Sequence, residues 1–138
     1  MGDTKSILEK VKEDQVKFIQ LWFTDLNGKN KSVDILPHKL EESLVRGTWF
    51  DGSSIDGFAR IEESDMFLKP DASTYAVLPW SNKDRRVARF ICDVNSKDGS
   101  PFAGDPREIL KKSLKKANDM GFVYNVGPEL EFFLFKGN

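Results

Sequence analysis

The chain has 138 residues, 39% of them hydrophobic and including 11 Phe and 3 Trp, which is enough to bury a core and argues against wholesale disorder. Its 21 Lys and Arg are matched by 22 Asp and Glu, so it carries no electrostatic footprint for nucleic acid or an anionic membrane. The length fits one ordinary domain, or one small domain and part of another. The single cysteine, Cys92, sits in the apolar run Val87 to Cys92, which excludes an intrachain disulfide and suits a reducing compartment. The only histidine, His38, follows Pro37 in a different segment, so Cys92 reads as a buried strand thiol rather than a nucleophile. The N-terminus is polar and no stretch is long enough to span a bilayer, so the expectation is a soluble cytoplasmic protein.

Taken in order, Thr4 to Asp14 is predicted as a short helix, capped by Asp3 or Thr4, with Ile7, Leu8 and Val11 on one face. Val16 to Thr24 is rich in aromatic and branched residues and reads as a strand covered on both faces. Asn27-Gly28 marks a hairpin, with Asn30 to Ile35 pairing back antiparallel. Pro37 opens a helix that turns Leu40 and Leu44 inward and stops at Gly47. Met66 to Leu68, Thr74 to Leu78 and Val87 to Val94 read as three further strands, separated by Pro70-Asp71 and by Ser81 to Asp84. Helices packed on a small mixed sheet make an α+β arrangement. Ser96 to Asp105 reads as a loop or linker. The next helix has Asp105 as N-cap, Pro106 in the first turn and Gly121 as terminator. Its apolar stripe is Ile109, Leu110, Leu114 and Ala117, and Lys111, Lys112, Lys115 and Lys116 form a solvated face. Phe122 to Val126 and Leu130 to Phe135 read as strands, the second needing cover on both sides that the residues after the linker do not supply.

Two stretches carry candidate chemistry. The first, Phe50-Asp51-Gly52-Ser53-Ser54-Ile55-Asp56-Gly57-Phe58, places two carboxylates and two hydroxyls between glycines that free the backbone. A surface loop using Asp and Ser for local hydrogen bonds would also account for it. The second, Gly127-Pro128-Glu129-Leu130-Glu131-Phe132-Phe133, would put Glu129 and Glu131 on one face of a strand, roughly 6–7 Å apart. Two ionised carboxylates among Phe side chains call for a cation, and hard divalent ions such as Mg²⁺ or Mn²⁺ suit oxygen ligands. Pairing with Arg or Lys, or an exposed strand end, would satisfy them equally.

The ordered set of these two motifs with Arg60-Ile61-Glu62-Glu63-Ser64-Asp65-Met66, Arg89-Phe90 and Gly104-Asp105-Pro106-Arg107 closely resembles the N-terminal portion of type I glutamine synthetases of bacteria and archaea. The resemblance covers essentially the whole chain. Leu130 stands where many members have proline, and it points away from the Glu face. The resemblance implies a β-grasp domain over residues 1–103, followed over 104–138 by the beginning of a truncated catalytic domain. It implies synthesis of glutamine from glutamate, ammonia and ATP through γ-glutamyl phosphate, with two Mg²⁺ or Mn²⁺ ions. By position, Glu131 matches a ligand of the metal on the glutamate side and Glu129 a ligand of the metal nearer the nucleotide. Asp51, with Ser54 beside it, matches the carboxylate that holds ammonium and helps deprotonate it. Arg60 matches a position that senses glutamine in one subgroup. The family assembles as a dodecamer of two hexameric rings with active sites shared between subunits, so Asp51 would serve the Glu pair of the next subunit. The family's nucleotide and glutamate sites lie beyond Asn138, so the chain alone is expected to be inactive. Two alternatives stand beside this reading. A short, non-enzymatic β-grasp homologue that modulates a full-length synthetase has no need of Asp51, Glu129 and Glu131. A free-standing metal-binding module lacks the ligands.

Overall fold

In the computed structural model, residues 4–55 and 64–137 are described. Helix α1 spans Thr4–Glu13, strand β1 Phe18–Thr24 and strand β2 Asn30–Ile35. A 3₁₀ turn at Pro37–Lys39 leads into helix α2, Leu40–Arg46, and strand β3 follows at Thr48–Asp51. Strands β4 (Asp65–Pro70), β5 (Ala76–Val77) and β6 (Val87–Ser96) complete the sheet, and helix α3 covers Pro106–Asp119. The sheet order is β2-β1-β6-β4-β3, with β5 pairing β6 beside β4. β6 lies parallel to β1 and antiparallel to β4 and β5. This is the expected α+β architecture, with the parallel pair formed by the first and last strands.

Alternation decides which side is core. On β6, Ala88, Phe90, Cys92 and Val94 are buried while their neighbours are only half-buried. On β1, Ile19, Leu21 and Phe23 do the same. These residues meet Met66 and Leu68 of β4, Phe50 of β3, Ile7 and Val11 of α1, and Leu40 of α2 in one cluster. β1 is therefore buried fully on one face only, in place of the two-sided burial expected from its composition. Both packed helices lie on the same side. On the opposite face, Trp22 is half-covered by the Arg89 guanidinium 5.6 Å from its ring.

Local signals set the connections. The β1–β2 hairpin forms at Asn27-Gly28, with Gly28 at φ 78. Buried Asp25 organises it, its Oδ1 accepting from the backbone N–H groups of Asn27 and Lys29 at 2.9 and 2.8 Å. α2 stops at Gly47, which has φ 81 and donates its N–H to the Ser43 carbonyl. A left-handed φ suits glycine because a Cβ would clash there.

Four further expectations change. Thr48–Asp51 is a strand, paired in register with Asp65–Leu68, so Asp51 ends a strand rather than sitting within a loop. The expected strand from Thr74 shrinks to Ala76–Val77, because Asp71 caps a 3₁₀ turn over Ala72–Thr74. The segment after Ser96 is no free linker. It turns back so that Pro101 bridges Asn95, Phe102 N–H donates to Val94 O at 2.9 Å, and the buried Asp105 carboxylate accepts from Val94 N–H at 3.1 Å. Finally, residues 122–137 form neither strand, and Phe133, Leu134 and Phe135 are 88–89% exposed. A strand needs a neighbour for its N–H and C=O groups and cover for its apolar faces. Among the described residues neither is provided there. Asp3, and the charged segment from Arg60 to Glu63, lie outside the described residues.

α3 begins and ends where expected. The Asp105 Oδ1 accepts from Arg107 N–H at 3.0 Å, Pro106 occupies the first turn, and Gly121 follows at φ 82. Its apolar stripe does not face the core: Ile109, Leu110 and Leu114 are exposed. Asp105 thus uses both oxygens, one to cap α3 and one to satisfy a buried β6 amide. Burial raises its pKa, and the Val94 and Arg107 amides pull against that rise. Asp105→Ala would orphan the Val94 N–H, so a loss of about 1–3 kcal/mol in denaturant unfolding is expected. Asp105→Asn, which keeps one acceptor oxygen, should lose less. Equal stability of the alanine variant and the parent chain would show that the bond to Val94 contributes nothing.

Candidate functional site at the end of the edge strand

β3 is an edge strand, and Asp51 is its last residue. Trp49 and Asp51 are exposed on one side of β3, while Phe50 between them is buried and stacks at 5.0 Å from Phe23. Phe50 thus anchors the strand end and leaves Asp51 in solvent. Gly52 follows, buried, with its N–H donated to Ser64 O at 2.7 Å. A Cβ on Gly52 would come 2.5 Å from Met66 Sδ, so the residue is small to permit close approach to β4. The sequence-based reason, a special backbone conformation, does not apply at Gly52, which is absent from the positive-φ glycines.

Ser53 controls the Asp51 carboxylate. Oδ1 accepts from Ser53 N–H at 2.9 Å and from Ser53 Oγ–H at 2.6 Å. Oδ2 accepts only from Ser54 Oγ at 3.4 Å among the described residues. The Ser53 hydroxyl and then its amide hold the carboxyl below the usual aspartate range. Asp51 is therefore ionised at neutral pH, with one oxygen saturated and the other turned to solvent. The sequence singled out Ser54, whereas the closer partner is Ser53.

The same device occurs twice more. Asp71 accepts from Ser73 N–H and Oγ at 3.0 and 2.6 Å, and Asp98 from Ser100 N–H and Oγ at 2.9 and 2.6 Å. Asp-x-Ser recurs at 51–53, 71–73 and 98–100 in the sequence, a signal that could have identified Ser53. It is a local turn device. What distinguishes Asp51 from Asp71 is the second oxygen, which in Asp71 is taken by Arg107 at 2.7 Å. Across the strand pair Asp51 faces Asp65, whose carboxylate is held by Trp49 Nε1–H at 3.0 Å and Lys97 Nζ at 3.4 Å. Trp49 and Asp65 were not among the sequence candidates.

Glu129 and Glu131 lie in the exposed irregular segment. No hydrogen bond or ion pair among the described residues joins either to Asp51. No cluster of three or more His, Cys, Asp or Glu residues suited to a metal occurs among the described residues. The two carboxylates are the right donors for a hard divalent ion, but two ligands on an exposed, irregular segment do not make its site. Arg60 lies outside the described residues. Burial pushes the Cys92 thiol up, which fits a core residue and not a nucleophile. No helix among the described residues is long and apolar enough to cross a membrane.

A mixed six-stranded sheet with two helices packed on one face defines a β-grasp protein. The family model for the glutamine synthetase β-grasp domain matches residues 15–97, and that for the glutamine synthetase catalytic domain matches 103–138. The chain belongs to the glutamine synthetase family. It is 52% identical over 132 residues to a glutamine synthetase of Clostridium saccharobutylicum, and 56% identical over 132 residues to one of Methanosarcina mazei. Each match covers 96% of this chain and 30% of the relative, so the chain spans about a third of their length. Among solved structures, a cryo-EM glutamine synthetase of Plasmodium falciparum superposes with TM-score 0.77 at 25% identity, covering 88% of this chain and 23% of that one. GmaS in complex with ADP gives 0.77 at 26% identity, covering 87% and 26%.

Ser53→Ala removes the shortest bond to the Asp51 carboxylate and leaves the amide. The expected outcome is a rise in the Asp51 pKa toward the ordinary value of 3.8, read by carboxyl-carbon NMR across a pH titration. Ser54→Ala should move it less. If the two variants shift it equally, Ser53 does not dominate the site.

Proposed function

We propose that this chain is the N-terminal part of a glutamine synthetase that makes glutamine from glutamate, ammonia and ATP through γ-glutamyl phosphate, and that it is inactive alone. The observation that supports this best is the Asp51 turn: an ionised, solvent-facing carboxylate at a sheet edge in a chain matched along nearly its whole length by glutamine synthetases. In this reading the longer protein is cytoplasmic and assembles as a dodecamer of two hexameric rings. Asp51 of one subunit meets the Glu129 and Glu131 of its neighbour, and Arg60 takes part in sensing glutamine.

Asp51 attracts ammonium because its charge persists at neutral pH and Oδ2 is open to a donor. Its Ser53 bonds have a second consequence. A carboxylate whose pKa is lowered is a good cation ligand and a weak proton acceptor. Taking a proton from ammonium is therefore uphill for Asp51 alone, and must be coupled to attack of the nascent ammonia on the carbonyl carbon of γ-glutamyl phosphate, whose bond to phosphate breaks as inorganic phosphate leaves. Ser54 Oγ donates a long hydrogen bond of 3.4 Å to the same oxygen, which leaves room there for a second donor. Glu129 and Glu131 would contribute oxygen ligands to Mg²⁺ or Mn²⁺, which balances charge on the transferring phosphoryl group. The described residues of this chain complete neither metal site and build no site for ATP.

The first test is the mass of the native polypeptide, detected with an antibody against residues 1–90. A band several times heavier than 15.7 kDa is expected, and a band near that mass overturns the reading. In the longer protein, Asp51→Ala should raise the ammonium KM on the order of 10²-fold or more, scored by phosphate release with ATP and glutamate. Glu131→Gln should reduce metal-dependent turnover. Unchanged ammonium dependence at neutral pH in the Asp51 variant would remove that residue from the mechanism.

A further inference from the structure

α3 is held to the sheet by charge and not by its apolar stripe. Arg107, in its first turn, donates Nη2–H to Asp71 Oδ2 at 2.7 Å and Nη1–H to Asp93 Oδ1 at 3.1 Å. Lys111, one turn on, donates to both Asp93 oxygens at 2.7 and 2.6 Å. The solvated-face reading of Lys111 is corrected by this pairing. Asp93 projects from the half-buried face of β6, and Asp71 heads the 3₁₀ turn after β4. The Ser73 hydroxyl and amide brace Asp71, and Asp71 N–H donates to Ile91 O at 3.0 Å. Two carboxylates and two cations close a neutral cluster. Arg107 and the two aspartates are 22–29% exposed, whereas Ile109 and Leu110 of the same helix are about half exposed.

We propose that Arg107 is a positioning residue, clasped between Asp71 and Asp93 so that α3 leaves the sheet in one orientation with its apolar stripe turned outward, and that this fixes where the Glu129–Glu131 stretch is delivered. The proposal rests on the functional reading above for its catalytic consequence, and on geometry alone for the clasp. Only a guanidinium reaches both carboxylates, because its two terminal nitrogens diverge in a plane. A lysine ammonium offers one nitrogen in place of two diverging ones, so it spans the two aspartates less well. Upstream, the Asp105 and Phe102 bonds to Val94 pin the start of the helix. Arg107 then sets its direction. Without it, the helix keeps its cap and the Lys111–Asp93 pair but loses its tie to Asp71.

The test has two readouts. In the 138-residue chain, amide hydrogen exchange in Arg107→Ala should speed the α3 amides about tenfold or more, leaving those of β1 and β6 unchanged. Arg107→Lys should fall between the alanine variant and the parent chain. In the longer protein, Arg107→Ala should lower kcat at least tenfold, with an unchanged ammonium KM and thermal midpoint, and Arg107→Lys should restore part of it. Unaltered α3 exchange in the alanine variant overturns the clasp. Faster exchange with unchanged kcat overturns the positioning role. If the unmutated longer protein has no synthetase turnover, the functional reading fails and the catalytic consequence fails with it, while the exchange data still decide the clasp.

Discussion

Everything in this molecule hangs on the ten-residue strand β6, which is hydrogen-bonded along both edges. Its first half pairs β1 in parallel and its second half pairs β4 antiparallel. A central strand with buried residues on one face ties both ends of the chain's core together, since β1 lies near the start and β6 near residue 96. Where β1 no longer flanks it, Phe102 and Asp105 take over Val94's backbone groups. A buried amide left unpaired is costly, so the chain after β6 is drawn back onto the strand. The junction between the two family-matched stretches is consequently laced to the sheet by backbone and side-chain bonds.

The same sheet shows how one local device acquires different uses. Three Asp-x-Ser turns share near-identical bond lengths at Oδ1, so their local chemistry is equal. Their second oxygens differ: Asp71 is closed by Arg107, and Asp51 faces solvent at a sheet edge beside Trp49 and Asp65. What the second oxygen of such a turn meets is therefore decided by what arrives from elsewhere in the chain. The Ser53 bonds that keep Asp51 charged also limit its basicity.

Charge also replaces hydrophobic contact at α3. Its stripe of Ile109, Leu110 and Leu114 stays outside the core, and polar residues in its first two turns make the attachment. Apolar residues between Phe122 and Phe135 are exposed as well. Such a surface is an aggregation hazard unless more protein covers it.

What the sequence determined by itself was local. The Asn27-Gly28 hairpin, the stop at Gly47, and the Asp105-Pro106 start and Gly121 end of α3 each depend on a backbone angle or cap that neighbouring residues set. Asp51 was legible as an unusual carboxylate, and the ordered motifs pointed to the family. Tertiary structure alone decided the rest. Phe50-Asp51 became strand because β4 pairs with it, and β1 was buried on one face because both helices chose the same side. Gly52 is small because Met66 lies against it, and Arg107 finds Asp71 across 36 residues of sequence. Phe122 to Phe135 carries strong strand composition yet forms no strand here, because a strand is completed by partners that composition cannot supply.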